Sequence, residues 1–136
     1  MTGRRVAFLG GGKMGEALVS GLIRSGGRST DEITVTCRRE ERARELAGKY
    51  GVNATLTSAG TIDWAETLVL MVKPQDMEEL LEQIRGSVRP DQLVVSFAAG
   101  VRTSFVEQHL PDGVPVVRVM SNVAVQIGRA SCRERV

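Results

Sequence analysis

Arg4-Arg5-Val6-Ala7-Phe8-Leu9-Gly10-Gly11-Gly12-Lys13-Met14-Gly15 is the stretch on which the reading of this chain turns. A short apolar run feeds a GxGxxG loop at Gly10, Gly12 and Gly15, and Glu16-Ala17-Leu18-Val19-Ser20-Gly21-Leu22-Ile23-Arg24 follows with the pattern of a helix. Strand, tight glycine turn and helix start, in that order, form the fingerprint of a dinucleotide-binding crossover. Each glycine has its own reason. Gly10 allows the turn, Gly12 lets backbone approach a pyrophosphate, and Gly15 lets the helix pack closely on the strand. Unpaired N–H groups and the helix dipole then favour an anion at the helix start.

Outward from this unit, apolar runs and amphipathic segments alternate. A β-branched strand is expected at residues 33–36. An amphipathic surface helix is expected at 39–50, where Ala43, Leu46 and Ala47 recur at helical spacing. A short third strand is expected over 51–55 and a helical turn around Ile62-Asp63-Trp64. Residues 67–72 are continuously apolar, as in a parallel strand buried on both faces. Residues 75–85 carry Met77, Leu80, Leu81 and Ile84 at helical spacing. A fifth strand is expected at 93–97, a helix at 103–110 with Thr103 as its cap, and a sixth strand at 114–120. This alternation predicts an α/β fold with a doubly wound, mostly parallel sheet, a Rossmann-type NAD(P)-binding domain over residues 1–125.

The bulk composition fits. A chain of 136 residues matches one domain, and 42% hydrophobic with only 4% aromatic residues implies an aliphatic core. The formal charge of +2 comes from residues 126–136, which hold three Arg and one Glu; the rest of the chain holds fifteen basic and fifteen acidic residues. There is no electrostatic case for a nucleic-acid or anionic-membrane partner. Cys37 and Cys132 form no metal spacing and no disulfide framework, which fits a cytoplasmic protein without a metal site. The apolar run after Arg4-Arg5 is too short for a signal peptide, and no segment approaches the ~20 apolar residues of a membrane span.

Cofactor choice in such a domain is read just after the second strand, where a carboxylate favours NAD and Arg accommodates the 2′-phosphate of NADP. Here that position reads Thr36-Cys37-Arg38-Arg39, and the first carboxylates are Glu40 and Glu41, on the expected helix. Two guanidiniums can grip a phosphate through charge-assisted, bidentate contacts. NADP(H) is therefore expected in preference to NAD(H). Cys37 reads as a small packing residue, and the one histidine, His109, as a surface residue near a helix end.

Four segments together resemble pyrroline-5-carboxylate reductase, the last enzyme of proline synthesis. They are Phe8-Leu9-Gly10-Gly11-Gly12-Lys13-Met14-Gly15-Glu16-Ala17-Leu18, Val72-Lys73-Pro74-Gln75, Ser96-Phe97-Ala98-Ala99-Gly100-Val101 and Val117-Arg118-Val119-Met120-Ser121-Asn122. The resemblance spans about Val6 to Val125 and implies roles. Gly10, Gly12, Lys13, Met14 and Gly15 hold the pyrophosphate, and Arg38 and Arg39 meet the 2′-phosphate. Val72, Lys73 and Pro74 border the nicotinamide ribose. Ala98, Ala99 and Gly100 lie under the nicotinamide ring, and Asn122 sits near the reacting end. The implied reaction is hydride transfer from NADPH to the C=N carbon of 1-pyrroline-5-carboxylate, giving L-proline; no residue of this chain is singled out as its acid catalyst. The family more often has Asn at the position of Lys13 and an adenosine-contacting Asn near Ser58, and its Pro-Asn-Thr-Pro loop is here Ser121-Asn122-Val123-Ala124.

The resemblance also implies a second, all-helical domain that forms a homo-oligomer and supplies most of the imino-acid site. Residues 126–136 show no apolar period and no likeness to that domain. One permitted codon choice from Gln126 onward contains AGATCGGAAGAGC, the start of a widely used sequencing adapter, so the tail is expected to be translated adapter and the fragment inactive alone. Two other readings stand beside the reductase. A β-hydroxyacid-type NAD(P) dehydrogenase domain shares the layout but usually needs a later catalytic Lys. A non-catalytic dinucleotide-binding module would naturally lack the helical domain.

Overall fold

In the computed structural model the described residues are 5–10, 12–27, 29–56, 59–97 and 100–119. They form six strands, β1 (Val6–Leu9), β2 (Ile33–Cys37), β3 (Asn53–Leu56), β4 (Thr67–Leu70), β5 (Leu93–Ser96) and β6 (Val116–Arg118). Five α-helices connect them: α1 (Lys13–Ser25), α2 (Glu40–Tyr50), α3 (Ala59–Trp64), α4 (Pro74–Ile84) and α5 (Thr103–Gln108). The sheet order is β3-β2-β1-β4-β5-β6, and every neighbouring pair is parallel.

Period-two alternation divides the core between the two faces of the sheet. Ala7, Leu9, Leu68, Leu70 and Val94 face one way, packed with Met77, Leu81 and Ile84 of α4 and Val106 of α5. Val6, Phe8, Ile33, Val35 and Val69 face the other, packed with Val19 of α1 and Ala43 and Leu46 of α2. Strand β1, buried on both faces, therefore reads as a continuous apolar run, Val-Ala-Phe-Leu, whereas the equally buried β2 interleaves Thr34 and Thr36. On the second face the register row Val35, Phe8, Val69, Val95, Val117 crosses from β2 to β6. Its cover thins along the way: Phe8 is 2% exposed, Val69 7% and Val117 47%.

The buried amide of Gln92 fastens the α3–β4 turn to β5. Its Nε2 donates to the carbonyls of Ile62 and Ala65 at 2.7 Å each, and its Oε1 accepts the N–H of Arg89 at 2.7 Å.

Several boundaries differ from expectation. Helix α1 starts at Lys13, not Glu16, because the Glu16 N–H already bonds the Gly12 carbonyl at 3.0 Å. Strand β4 ends at Leu70. The Met71 N–H still reaches the Leu9 carbonyl at 2.9 Å, but the chain then turns so that Lys73 is extended ahead of Pro74 (φ −68°, ψ 153°), the conformation a residue before proline requires. Pro74 itself opens α4, where its missing N–H costs nothing. Thr103 is not the cap of α5. Arg102 holds that position without a side-chain cap bond, and Thr103 is already helical. Strand β6 contracts to three residues, its N-terminal end delayed by Pro115.

Candidate functional site

The strand order reverses between β1 and β4, and a crevice opens beyond the carboxyl ends of the strands at such a switch point. A cleft of about 1210 Å³ lies there. Gly10, Gly12, Arg38, Arg39, Val72 and Lys73 line it, six of the residues singled out from sequence. Lys13, Met14, Gly15, Pro74 and Gly100 are not among its lining residues. Ala98, Ala99 and Asn122 lie outside the described residues.

The glycine loop shows two structural reasons for glycine, and one glycine that has neither. Gly10 has φ +120°, a conformation side chains rarely adopt, and a Cβ there would sit 3.0 Å from the Met71 carbonyl oxygen. Its N–H holds the loop to β2 through the Thr36 carbonyl at 3.1 Å. A Cβ on Gly15 would meet the Gly10 carbonyl oxygen at 2.8 Å, so this glycine lets α1 lie against the strand end. Gly12 has neither reason. Its backbone is ordinary (φ −76°, ψ −174°), and a Cβ there would meet nothing within 4 Å. The empty space at Gly12 opens on the cleft, in front of the first turn of α1. Lys13, Met14 and Gly15 occupy that turn, ahead of the first intrahelical bond, so their N–H groups have no acceptor within the helix. Lys13 is exposed and Met14 half-buried.

The end of β2 forms the second wall. Arg38 and Arg39 are 69% and 80% exposed at their side chains. Arg38 Nη2 lies 3.6 Å from Asp76 Oδ1 and 3.9 Å from Glu79 Oε1, both on α4 across the cleft. Arg39 pairs with Glu41 at 3.8 Å. Arg42, also lining the cleft, was missed from sequence because nothing separates it from a solvated helix residue. In the fold it donates to Glu16 at 2.8 Å and pairs with Glu45 at 3.1 Å. Glu16 also accepts from Lys49 at 2.8 Å and the Tyr50 hydroxyl at 2.6 Å, fastening α1 to α2. The Lys49, Tyr50 and Arg42 bonds hold its carboxyl down at about 2. Burial pushes the Cys37 thiol up, partly offset by Arg42, so Cys37 is a packing residue at neutral pH. Ile62, Leu80 and Ile84 give the cleft an apolar lining, and Leu56, 47% exposed, also lines it.

His109 stands at the end of α5, as expected, and is half-buried there. Its side chain is 16% exposed; Nδ1 lies 2.9 Å from the Phe105 carbonyl, and its ring packs against Phe105 at 4.5 Å. It closes the end of α5 and does not line the cleft. Among the described residues, no helix is long and apolar enough to cross a membrane. Among the same residues, no group of three or more His, Cys, Asp or Glu could hold a metal ion.

The sheet order, the reversal at β1/β4 and the glycine loop against α1 define a Rossmann-type domain. The family described as "NADP oxidoreductase coenzyme F420-dependent" matches residues 5–100, and the chain belongs to it. The chain is 39% identical over 129 residues to pyrroline-5-carboxylate reductase 1 of Bacillus subtilis, covering 94% of this chain and 43% of that protein. It is 39% identical over 127 residues to the pyrroline-5-carboxylate reductase of Corynebacterium melassecola, covering 91% and 47%. Among solved structures, a pyrroline-5-carboxylate reductase from Coxiella burnetii superposes with a TM-score of 0.80 at 32% identity, over 88% of this chain and 44% of that one. The chain thus spans less than half the length of these relatives.

Proposed function

We propose that this chain is the coenzyme-binding part of an NADPH-dependent reductase of 1-pyrroline-5-carboxylate, the step that yields L-proline. The observation that carries the coenzyme reading is Gly12, a glycine that neither conformation nor packing in the described residues requires, beside the open first turn of α1. The likeness to pyrroline-5-carboxylate reductases over 94% of the chain supports the substrate.

In this reading the amides of Gly12, Lys13, Met14 and Gly15 hold the diphosphate, with Gly10 shaping the turn behind them. Arg38 and Arg39 meet the 2′-phosphate. Val72, Lys73 and Pro74 border the nicotinamide ribose, and Ala98, Ala99, Gly100 and Asn122 belong to the ring's end of the site. Bound there, NADPH supplies a hydride to the C=N carbon of the substrate. An imine is readily protonated and accepts hydride better as a cation, so the chain's own task is to hold and orient the coenzyme. The imino-acid pocket and a homo-oligomer interface belong to a helical part outside residues 1–125, and residues 126–136 are not part of the domain. The chain alone therefore binds NADPH but turns over little, in a cytoplasm that keeps Cys37 reduced.

Titration of the chain with NADPH and NADH, followed by nucleotide fluorescence, tests this. NADPH is expected to bind more tightly, and Arg38→Ala is expected to shrink the difference. Equal affinity for the two coenzymes contradicts the role given to Arg38. In the longer reading frame, NADPH oxidation dependent on 1-pyrroline-5-carboxylate tests the substrate; oxidation with β-hydroxyacids alone contradicts it.

A further inference from the structure

Arg38 reaches away from the end of β2 toward two carboxylates on α4, Asp76 and Glu79, which stand three residues apart and line the same cleft. Asp76 has a local reason to be acidic, since it lies in the first turn of α4. Glu79 lies a turn further on, 67% exposed, and the helix dipole does not call for it. The two pairs, at 3.6 and 3.9 Å, are looser than the 2.8 Å contact that fastens Arg42 to Glu16. Arg42 is a fixed strut; Arg38 is a strap across the cleft mouth, held by charge alone.

We propose that Asp76 and Glu79 are positioning residues that set the coenzyme preference by competing for Arg38. This rests on the reading in which Arg38 meets the 2′-phosphate. A coenzyme with a 2′-hydroxyl leaves Arg38 with its carboxylates. A 2′-phosphate, carrying about −1.5 to −2 charges at neutral pH, must draw Arg38 off them and then stand opposite two negative groups. The pair thereby lowers affinity for the phosphorylated coenzyme alone and holds the NADP/NAD ratio below what the arginines would set unopposed. Near a protein surface, charges ~6 Å apart interact strongly enough to change affinity roughly three- to tenfold.

The test is titration with NADPH and with NADH of the wild-type chain, the double variant Asp76→Asn/Glu79→Gln, the charge-preserving Asp76→Glu, and Arg38→Ala. The double variant is expected to bind NADPH roughly three- to tenfold more tightly while NADH changes by less than about twofold. Asp76→Glu should keep wild-type selectivity, a result a purely structural role would not give. Unchanged selectivity in the double variant, or equal shifts for both coenzymes, overturns the proposal. If at the same time Arg38→Ala narrows the NADPH–NADH difference, the 2′-phosphate reading stands and only the strap fails. If Arg38→Ala leaves the difference intact, or neither coenzyme binds the wild-type chain, both fall. A urea midpoint for each variant guards against misfolding; a variant that unfolds is replaced by Glu79→Gln alone, for which a selectivity equal to wild type counts against the proposal.

Discussion

A single methyl group added at Gly12 or at Gly15 separates what the glycine loop does for the fold from what it does for a ligand. At Gly15 the new Cβ would lie 2.8 Å from the Gly10 carbonyl oxygen, short of the 3.4 Å at which ordinary contact begins. The obstacle is backbone, so α1 must move off the end of β1. Overpacking of this kind costs ~1–3 kcal/mol, offset by up to ~1 kcal/mol from replacing glycine inside a helix. Gly15→Ala should therefore lose about 1–2 kcal/mol of unfolding free energy. At Gly12 the Cβ meets nothing within 4 Å and the backbone already suits alanine. A weaker helix cap, roughly 0.5–1 kcal/mol, is balanced by the lower entropy of the unfolded chain, about 0.4–1 kcal/mol, so Gly12→Ala should stay within ~0.5 kcal/mol of wild type. On the proposed coenzyme reading its methyl takes the diphosphate's space, and NADPH binding should weaken more than tenfold, equivalent to about 1.4 kcal/mol or more. Urea unfolding without ligand, paired with NADPH titration of each variant, reads both effects. A Gly12→Ala protein that binds NADPH as wild type does, or that unfolds as readily as Gly15→Ala, refutes the reasoning.

Other expectations follow from particular contacts. Because the Glu16 carboxyl is held down at about 2 in the folded state, its contribution is complete above the ordinary carboxylate value of 4.5 and is lost as pH falls from there toward 2. In Glu16→Gln, stability at neutral pH should drop by about 1 kcal/mol, the size of a partly solvated charge network, and urea midpoints should fall less steeply than wild type over that acid range. Gln92→Leu should cost about 3–5 kcal/mol, because it strands the Ile62 and Ala65 carbonyls in the interior, each worth ~1–3 kcal/mol, and removes the acceptor of the half-buried Arg89 N–H; a urea midpoint near wild type would show that water replaces the amide. Leu70→Ala, at a fully buried β4 position beneath the cleft, should cost ~2–5 kcal/mol, seen in the same denaturation experiment.

The crossover from β1 to α1 was legible because its signals are local: four apolar residues, glycines at fixed offsets and an amphipathic helix. The same holds for β4, whose unbroken apolar run announces a strand covered on both faces. Element ends were less legible, since they depend on which individual backbone hydrogen bonds form, local or distant. The Leu9 carbonyl that takes the Met71 N–H and the Gly12 carbonyl that starts α1 leave no mark in composition. At the site, Gly10, Gly12 and Arg38 could be read from motif position. Asp76 and Glu79 could not, because only the reversal of strand order brings α4 opposite the end of β2. Arg42 and Glu16, 26 residues apart in sequence, were hidden because only the pairing of β1 with β2 lays α1 beside α2. His109 was legible as a helix-end residue without a place in the cleft, but not its half-burial, because that comes from the ring of Phe105 one turn back.

The most direct measurement is the map of backbone amide shifts in the labelled chain as NADPH is added. The account predicts that Gly12, Lys13, Met14 and Gly15 move first and furthest, with Arg38 following for NADPH but not for NADH. Shifts confined to another face of the sheet, with these amides unmoved at saturation, would contradict it.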